Sequence, residues 1–81
     1  MSKYTRKEAE GQLDSAIADL VNRIKADLSA LSITAIIHND NETAEYWLDL
    51  VSEVEKAHER TKSIITIFRE EHPEKETNNG N

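Results

Sequence analysis

Apolar residues recur along the first half of the chain at the spacing of a helix face. The steps are four, four, three, four, four, three and four along the row Ala9, Leu13, Ile17, Leu20, Ile24, Leu28, Leu31 and Ala35. This spacing follows one side of an α-helix and differs from the alternation of a half-buried strand. Thr5, with Glu8 three residues later, is a capping box that would start the helix. The pattern predicts a helix over residues 6–37.

The second half carries another row, with alternating steps of three and four, which is the heptad repeat of coiled coils. Asn39 with Glu42 forms a second capping box, so a short turn should precede this helix. His72 comes before Pro73 and should end it, because a residue before proline avoids helical angles. We predict a turn at residues 38–41 and a helix over residues 42–72. The row is Ala44, Trp47, Val51, Val54, His58, Thr61, Ile65 and Phe68, with Leu50, Ala57 and Ile64 beside it.

Two helices joined by so short a turn pack as antiparallel neighbours. The predicted fold class is all-α, with an antiparallel two-helix hairpin over residues 6–72. Residues 1–5 should form a flexible N-terminus. Residues 73–81 are polar and charged, and we expect them to form a disordered tail.

The hairpin carries more apolar surface than its two helices can cover on each other. Near the turn the first helix is apolar on more than one side, because successive residues point about 100° apart. A second copy would cover the surplus, so we expect a homodimer that forms a four-helix bundle. A monomer with a wide apolar stripe is the alternative. The expected oligomer interface comprises Leu28, Leu31, Ile33, Ile36, Ile37, Trp47, Ile64 and Phe68.

Composition and charge narrow the function classes. The chain of 81 residues has no Cys and a formal net charge of −6, and all of that net charge falls in residues 40–81, which hold eleven acids and five bases. Such a chain is a poor direct binder of nucleic acid, whose phosphates demand basic surface. No apolar run approaches the roughly 20 residues that span a bilayer, so no membrane partner is expected. A Cys-free chain suits the cytoplasm, and we expect an accessory protein of a bacterium or phage.

Between Asp40 and Glu55 there are six acids and no base. Several of these acids recur at steps of three and four and should form one stripe on the second helix. The stripe could bind a protein with a basic surface, or mimic nucleic acid and so inhibit a DNA- or RNA-binding protein. It could also serve only to solubilise the helix and favour its N-terminal end. The candidate partner-binding residues are Glu42, Glu45, Tyr46, Asp49 and Glu53.

Glu55 and His58 form the Glu-x-x-His spacing that ferritin-like carboxylate bundles use to bind metal. A dimer could assemble such a site, although the first helix offers no inward carboxylate on its apolar row. The structural alternative is a polar layer in the core, with Asn22 level with His58 as its partner. The sequence shows no nucleophile with its base and no glycine-rich phosphate loop. We therefore expect no catalytic residue and no cofactor.

The expected function is that of a small acidic, non-catalytic interaction or regulatory protein, an adaptor or accessory factor, acting as a homo-oligomeric bundle. The alternatives are a metal-binding bundle with Glu55 and His58 as ligands, and an acidic mimic of nucleic acid.

Overall fold

The computed structural model describes residues 5–73, and these form two α-helices that pack against each other. Helix α1 spans Arg6–Ile37 and helix α2 spans Asn41–Glu71. The helices are antiparallel, because an ion pair joins Asp14 near the start of α1 to Arg69 near the end of α2. The predicted all-α hairpin is confirmed. Residues 1–4 and 74–81, and with them most of the two predicted flexible ends, lie outside the described residues.

The start of α1 follows the predicted capping box. Thr5 has an extended backbone, and its hydroxyl oxygen accepts a hydrogen bond from the Glu8 backbone N–H at 3.1 Å. This bond satisfies one of the N–H groups that the first turn of a helix leaves without a partner.

The turn ends one helix and begins the next within three residues, 38–40. Asn39 adopts a left-handed backbone with φ 60°, a conformation that asparagine tolerates better than most residues. The Asp40 N–H donates to the Ala35 carbonyl at 2.8 Å and the Asn39 N–H to the Ile36 carbonyl at 2.9 Å. These two bonds form a Schellman motif, which closes the end of α1.

The expected cap at Asn39 is wrong, and the cap of α2 lies one residue later. Asp40 caps the helix, and its carboxylate accepts from the Thr43 N–H at 3.1 Å. The reason is that Asn39 is used in the left-handed position that ends α1, so its side chain does not cap α2. With Asp40 as its cap, α2 begins at Asn41, whereas the predicted start is residue 42.

The tightest packing lies next to the turn and is made by small side chains. The Ser32 hydroxyl donates to the Ala44 backbone carbonyl at 3.1 Å, which requires the two helices to approach closely there. Ser32 and Ala44 are buried to 3% and 5% exposure, and Leu28 is the one large apolar side chain among the described residues that is classed as buried. The buried residues in residues 5–73 are Leu28, Ser32, Ala35 and Ala44.

This close approach turns the predicted apolar rows to one side of the contact. Leu20 is 56% exposed, although its row is predicted to face inward, and Phe68, a predicted oligomer-interface residue, is 59% exposed. Lys25 and Arg69 are half-buried between the helices instead. The inward prediction is wrong for Leu20 because the contact line of α1 passes through Leu28, Ser32 and Ala35, and Leu20 lies to one side of that line.

At the open end, charged groups take the place of apolar contacts. The Arg69 guanidinium lies 3.0 Å from Asp14 through Nη2 and 3.5 Å from Glu10 through its buried Nε. Arg6 reaches the same Glu10 carboxylate at 3.1 Å and also donates to the His72 carbonyl. Half-exposed pairs of this kind contribute little stability each, so they orient the helix ends more than they hold them together.

Candidate functional site

A single layer of two helices has two broad faces, and here the two faces differ in chemistry. One of them, the apolar face, carries leucine and isoleucine side chains from both helices. Leu13 of α1 and Ile64 and Phe68 of α2 line one groove of about 400 Å³, which places the two flanks on the same side of the hairpin. The charged groups of the open end also line this groove: Arg6, Glu10, Arg69 and His72. By helical spacing the other members fall on the same flanks. The apolar face comprises Leu13, Leu20, Ile24, Leu31, Leu50, Ala57, Ile64 and Phe68.

The opposite side, the ion-pair face, is crossed by bonds between charged groups. Lys25 Nζ lies 2.9 Å from the Glu55 carboxylate, and Asp14 contacts Arg69. A groove of about 210 Å³ on this side is lined in part by Asp14, His58 and Lys62. Charges on this face satisfy one another within one chain, whereas the apolar face has nothing over it.

The residues predicted as an oligomer interface fall into three places. Leu31, Ile64 and Phe68 are exposed on the apolar face. Leu28 is buried against α2, and Trp47 is half-buried, so these two contribute within the hairpin. The remaining three form a separate exposed cluster at the end of α1, where residues three and four apart are neighbours. This cluster is Ile33, Ile36 and Ile37.

The acidic stripe lies along the part of α2 that points away from α1. Glu45 and Asp49 are exposed there, roughly opposite the side that buries Ala44. Tyr46 is 60% exposed and meets Trp47 edge to face, with ring centroids 5.0 Å apart. The contact holds the tyrosine ring at the border between the stripe and the apolar face. All five predicted partner-binding residues are exposed: Glu42, Glu45, Tyr46, Asp49 and Glu53.

Asp40, at the head of the stripe, is the residue whose acidity the fold changes clearly. The Thr43 side chain and then the Thr43 backbone N–H bond to its carboxylate and lower the pKa of Asp40 below the ordinary value. Both bonds favour the charged form. Negative charge is therefore maintained at the N-terminus of α2, where the helix dipole also stabilises it.

The candidate metal ligands Glu55 and His58 have other surroundings. Glu55 is paired with Lys25, and His58 is half-buried in a groove that Lys62 and Arg69 also line. Glu55 would have to give up its ion pair with Lys25, at 2.9 Å, before its carboxylate could bind a metal ion. Within residues 5–73 no three His, Asp or Glu side chains are grouped so that they could hold a metal.

The expected partner of His58 is also not in place. Asn22 is exposed, and no hydrogen bond joins it to His58 in the described part of the chain. Asn22 is at the right height along α1, but it points away from α2 because it lies well round the helix from Leu28.

The ion network at the open end was not predicted from the sequence. Its signal was present in Glu10 and Asp14, which are four residues apart on α1 and therefore share a side. Recognising Arg69 as their partner required the register of the two helices, which the turn determines.

Comparison with known proteins finds no match among family models, curated proteins or solved structures. Neither helix of the described chain is long and apolar enough to cross a membrane. Function is therefore inferred from two exposed surfaces of the described residues, the apolar face and the acidic stripe.

Proposed function

We propose that the protein is a small acidic, non-catalytic interaction or regulatory protein that works as a homo-oligomeric helical bundle. Two hairpins associate through their apolar faces and form a four-helix bundle. The acidic stripe stays outside the bundle and binds a protein with a basic surface. Cys-free composition suits the reducing cytoplasm, and we place the protein there as part of the proposal.

The observation that carries this proposal is the separation of the two uncovered surfaces. Leu20 and Ile64, on the apolar face, are 56% and 59% exposed. Glu45 and Asp49 lie on another side of α2. A second copy can therefore cover the apolar surface and leave the acids accessible.

The size of the apolar face fits a stable dimer. Helices of about 30 residues are roughly 45 Å long, and two of them side by side are about 20 Å wide. Full contact would bury about 900 Å² on each copy, against the ~800 Å² per partner of a standard stable interface. Each Å² of apolar surface removed from water is worth about 25 cal/mol.

The acidic stripe has the chemistry of a docking surface for a basic partner. Rows of like charge accelerate encounter with an oppositely charged surface and select against partners of the same sign. An exposed aromatic at the edge of such a row is a common anchor in protein interfaces. Tyr46 occupies that position beside Glu42, Glu45 and Asp49.

Charge reversal on α2 tests the proposed docking surface. The double variant Glu45→Lys/Asp49→Lys should lose salt-sensitive capture of a basic protein from a lysate of the organism that encodes the chain. Glu59→Lys/Glu70→Lys is the matched control, because it makes the same change of charge on the same helix outside the stripe. Equal capture by both variants would show that the stripe is not the docking surface.

A further inference from the structure

The exposed row of α1 on the apolar face is symmetric along the chain. Its members Leu13, Leu20, Ile24 and Leu31 lie nine and two residues to either side of position 22. If a second α1 is laid against the first in the opposite direction about that position, Leu13 meets Leu31 and Leu20 meets Ile24. The row is therefore complementary to itself.

The row of α2 on the same face is symmetric about Ala57. Leu50 and Ile64 lie seven residues to either side of it. The smallest side chain of the row is at the centre. Two antiparallel copies of α2 could approach closely there, with larger side chains on both flanks.

The two centres of symmetry are at the same height in the hairpin. Lys25 contacts Glu55, so position 22 of α1 is level with position 58 of α2. Glu10 contacts Arg69, and counting twelve residues inward from each reaches positions 22 and 57. One two-fold axis can therefore pass through both centres at once.

We propose that a second copy of this chain covers the apolar face about a two-fold axis perpendicular to the helices. The axis passes between Leu20 and Ile24 on α1 and over Ala57 on α2. Each helix then lies antiparallel to its own counterpart, and the two turns are at opposite ends of the bundle. The inference rests on the proposed function, because it assumes that the chain associates with itself.

Charges at the border of the apolar face are compatible with this orientation and with the alternative that has both turns at one end. About the proposed axis, Glu53 lies next to Arg60 of the second copy, and the pair occurs twice. With both turns at one end, α1 would lie on α2 of the second copy at the same height. Asp27 would then lie near Glu53, and these like charges would repel each other. The proposed axis also brings one like-charge pair together, because Arg23 lies one residue from it and faces its own copy. All four side chains are exposed in the single hairpin: Arg23, Asp27, Glu53 and Arg60.

Spin labels near the turn distinguish the two orientations. The chain has no Cys, so Asn41→Cys gives a single labelling site at the start of α2. With the turns at opposite ends, the two labels should be about 50 Å apart, because residue 41 is about 25 Å from the axis at 1.5 Å per residue. With both turns at one end, they should be about 20 Å apart. Pulsed dipolar spectroscopy measures this distance, and a short distance would overturn the inference.

Disulfide formation at the axis is the second measurement. Ala57→Cys should oxidise to a covalent dimer, since its two copies face each other across the axis within the reach of a disulfide. Ser52→Cys is the control, because it is exposed on the same helix but on another side. Equal cross-linking of both variants, or none at position 57, would count against the proposed axis.

Sedimentation of the same labelled samples separates the failure of the inference from the failure of the proposed function. A dimer with a short distance between labels refutes the orientation and leaves the homo-oligomeric bundle intact. A folded monomer at micromolar concentration refutes both the orientation and the homo-oligomer. A dimer with a distance near 50 Å supports both.

Discussion

The turn half and the open half of the hairpin are stabilised by different interactions. Next to the turn, small side chains bring the helices together, and Ser32 bonds directly to the backbone of α2. All four buried residues of the described chain lie in this half. Towards the open end the contacts are ion pairs around Arg69, and Leu13, Ile64 and Phe68 are exposed beside them.

This difference indicates which part of the molecule needs a partner. The turn half contains the small buried core, in which Ser32 is bonded to α2, although Ile33, Ile36 and Ile37 at the end of α1 remain exposed. The open half has apolar groups of the right kind but not enough surface to bury them against. Stability of the turn half should therefore depend on internal packing, and stability of the open half on association.

The largest effect is expected from a charge placed in the centre of the apolar face. Leu20 is more than half exposed in the single hairpin, so Leu20→Lys would cost little there. In a dimer the ammonium group would lose water without gaining a partner, which is far more costly. We expect the dissociation constant to rise at least 100-fold, about 2.7 kcal/mol, by sedimentation equilibrium.

Ser29→Lys is the control for that substitution, because Ser29 is exposed on α1 away from the apolar face. It should leave the dissociation constant within a few-fold. If Leu20→Lys sediments like the unsubstituted chain, the apolar face is not the site of association.

An intermediate effect is expected from crowding the turn half. Ala44 is 5% exposed and its carbonyl accepts from Ser32, so Ala44→Leu would force the helices apart. Overpacking of this kind costs roughly 1–3 kcal/mol. Urea unfolding at a constant protein concentration measures the loss.

A smaller loss is expected from Ser32→Ala, which removes one hydrogen bond and should cost about 1 kcal/mol. The same urea unfolding measures it. A larger loss for Ser32→Ala than for Ala44→Leu would contradict the packing argument.

The smallest effect is expected from the acidity of Asp40. Its pKa is lowered in the folded chain by the bonds from Thr43, so the unfolded state binds a proton more readily. The stabilisation is present above the ordinary pKa of Asp and is lost as the pH falls through the lowered value. Asp40→Asn keeps a capping oxygen but does not titrate. The urea midpoint of Asp40→Asn should therefore fall less between pH 5 and pH 2 than the midpoint of the unsubstituted chain. If the two midpoints fall in parallel, the Asp40 carboxylate does not stabilise the folded chain in this way.

The helices and their pairing could be predicted from the sequence because they depend on local signals. The step pattern, the Thr5 cap and the His72-Pro73 pair mark the helix ends within one residue of where the structure has them. The acidic stripe could be predicted for the same reason, since residues on one helix keep a known angular relation.

The rotation of each helix about its own axis could not be predicted in this way. A row such as Leu13–Leu31 shows that a helix has an apolar side, but it does not show which part of that side its neighbour covers. The side of each helix that contacts the other is determined by Ser32 and Ala44, whose small size permits close approach. The same geometry leaves Leu20, which lies on the predicted inward row of α1, exposed on the apolar face.

The turn has a consequence for how the chain folds. Asp40 both closes the final bonds of α1 and caps α2, so the last turn of one helix and the first turn of the next form together. Contacts between Ser32 and Ala44 lie close in sequence, and such local contacts form fast. We expect the folding nucleus at this bend, with pairing spreading outward to Arg6 and His72, which are the last residues to join and the first to fray.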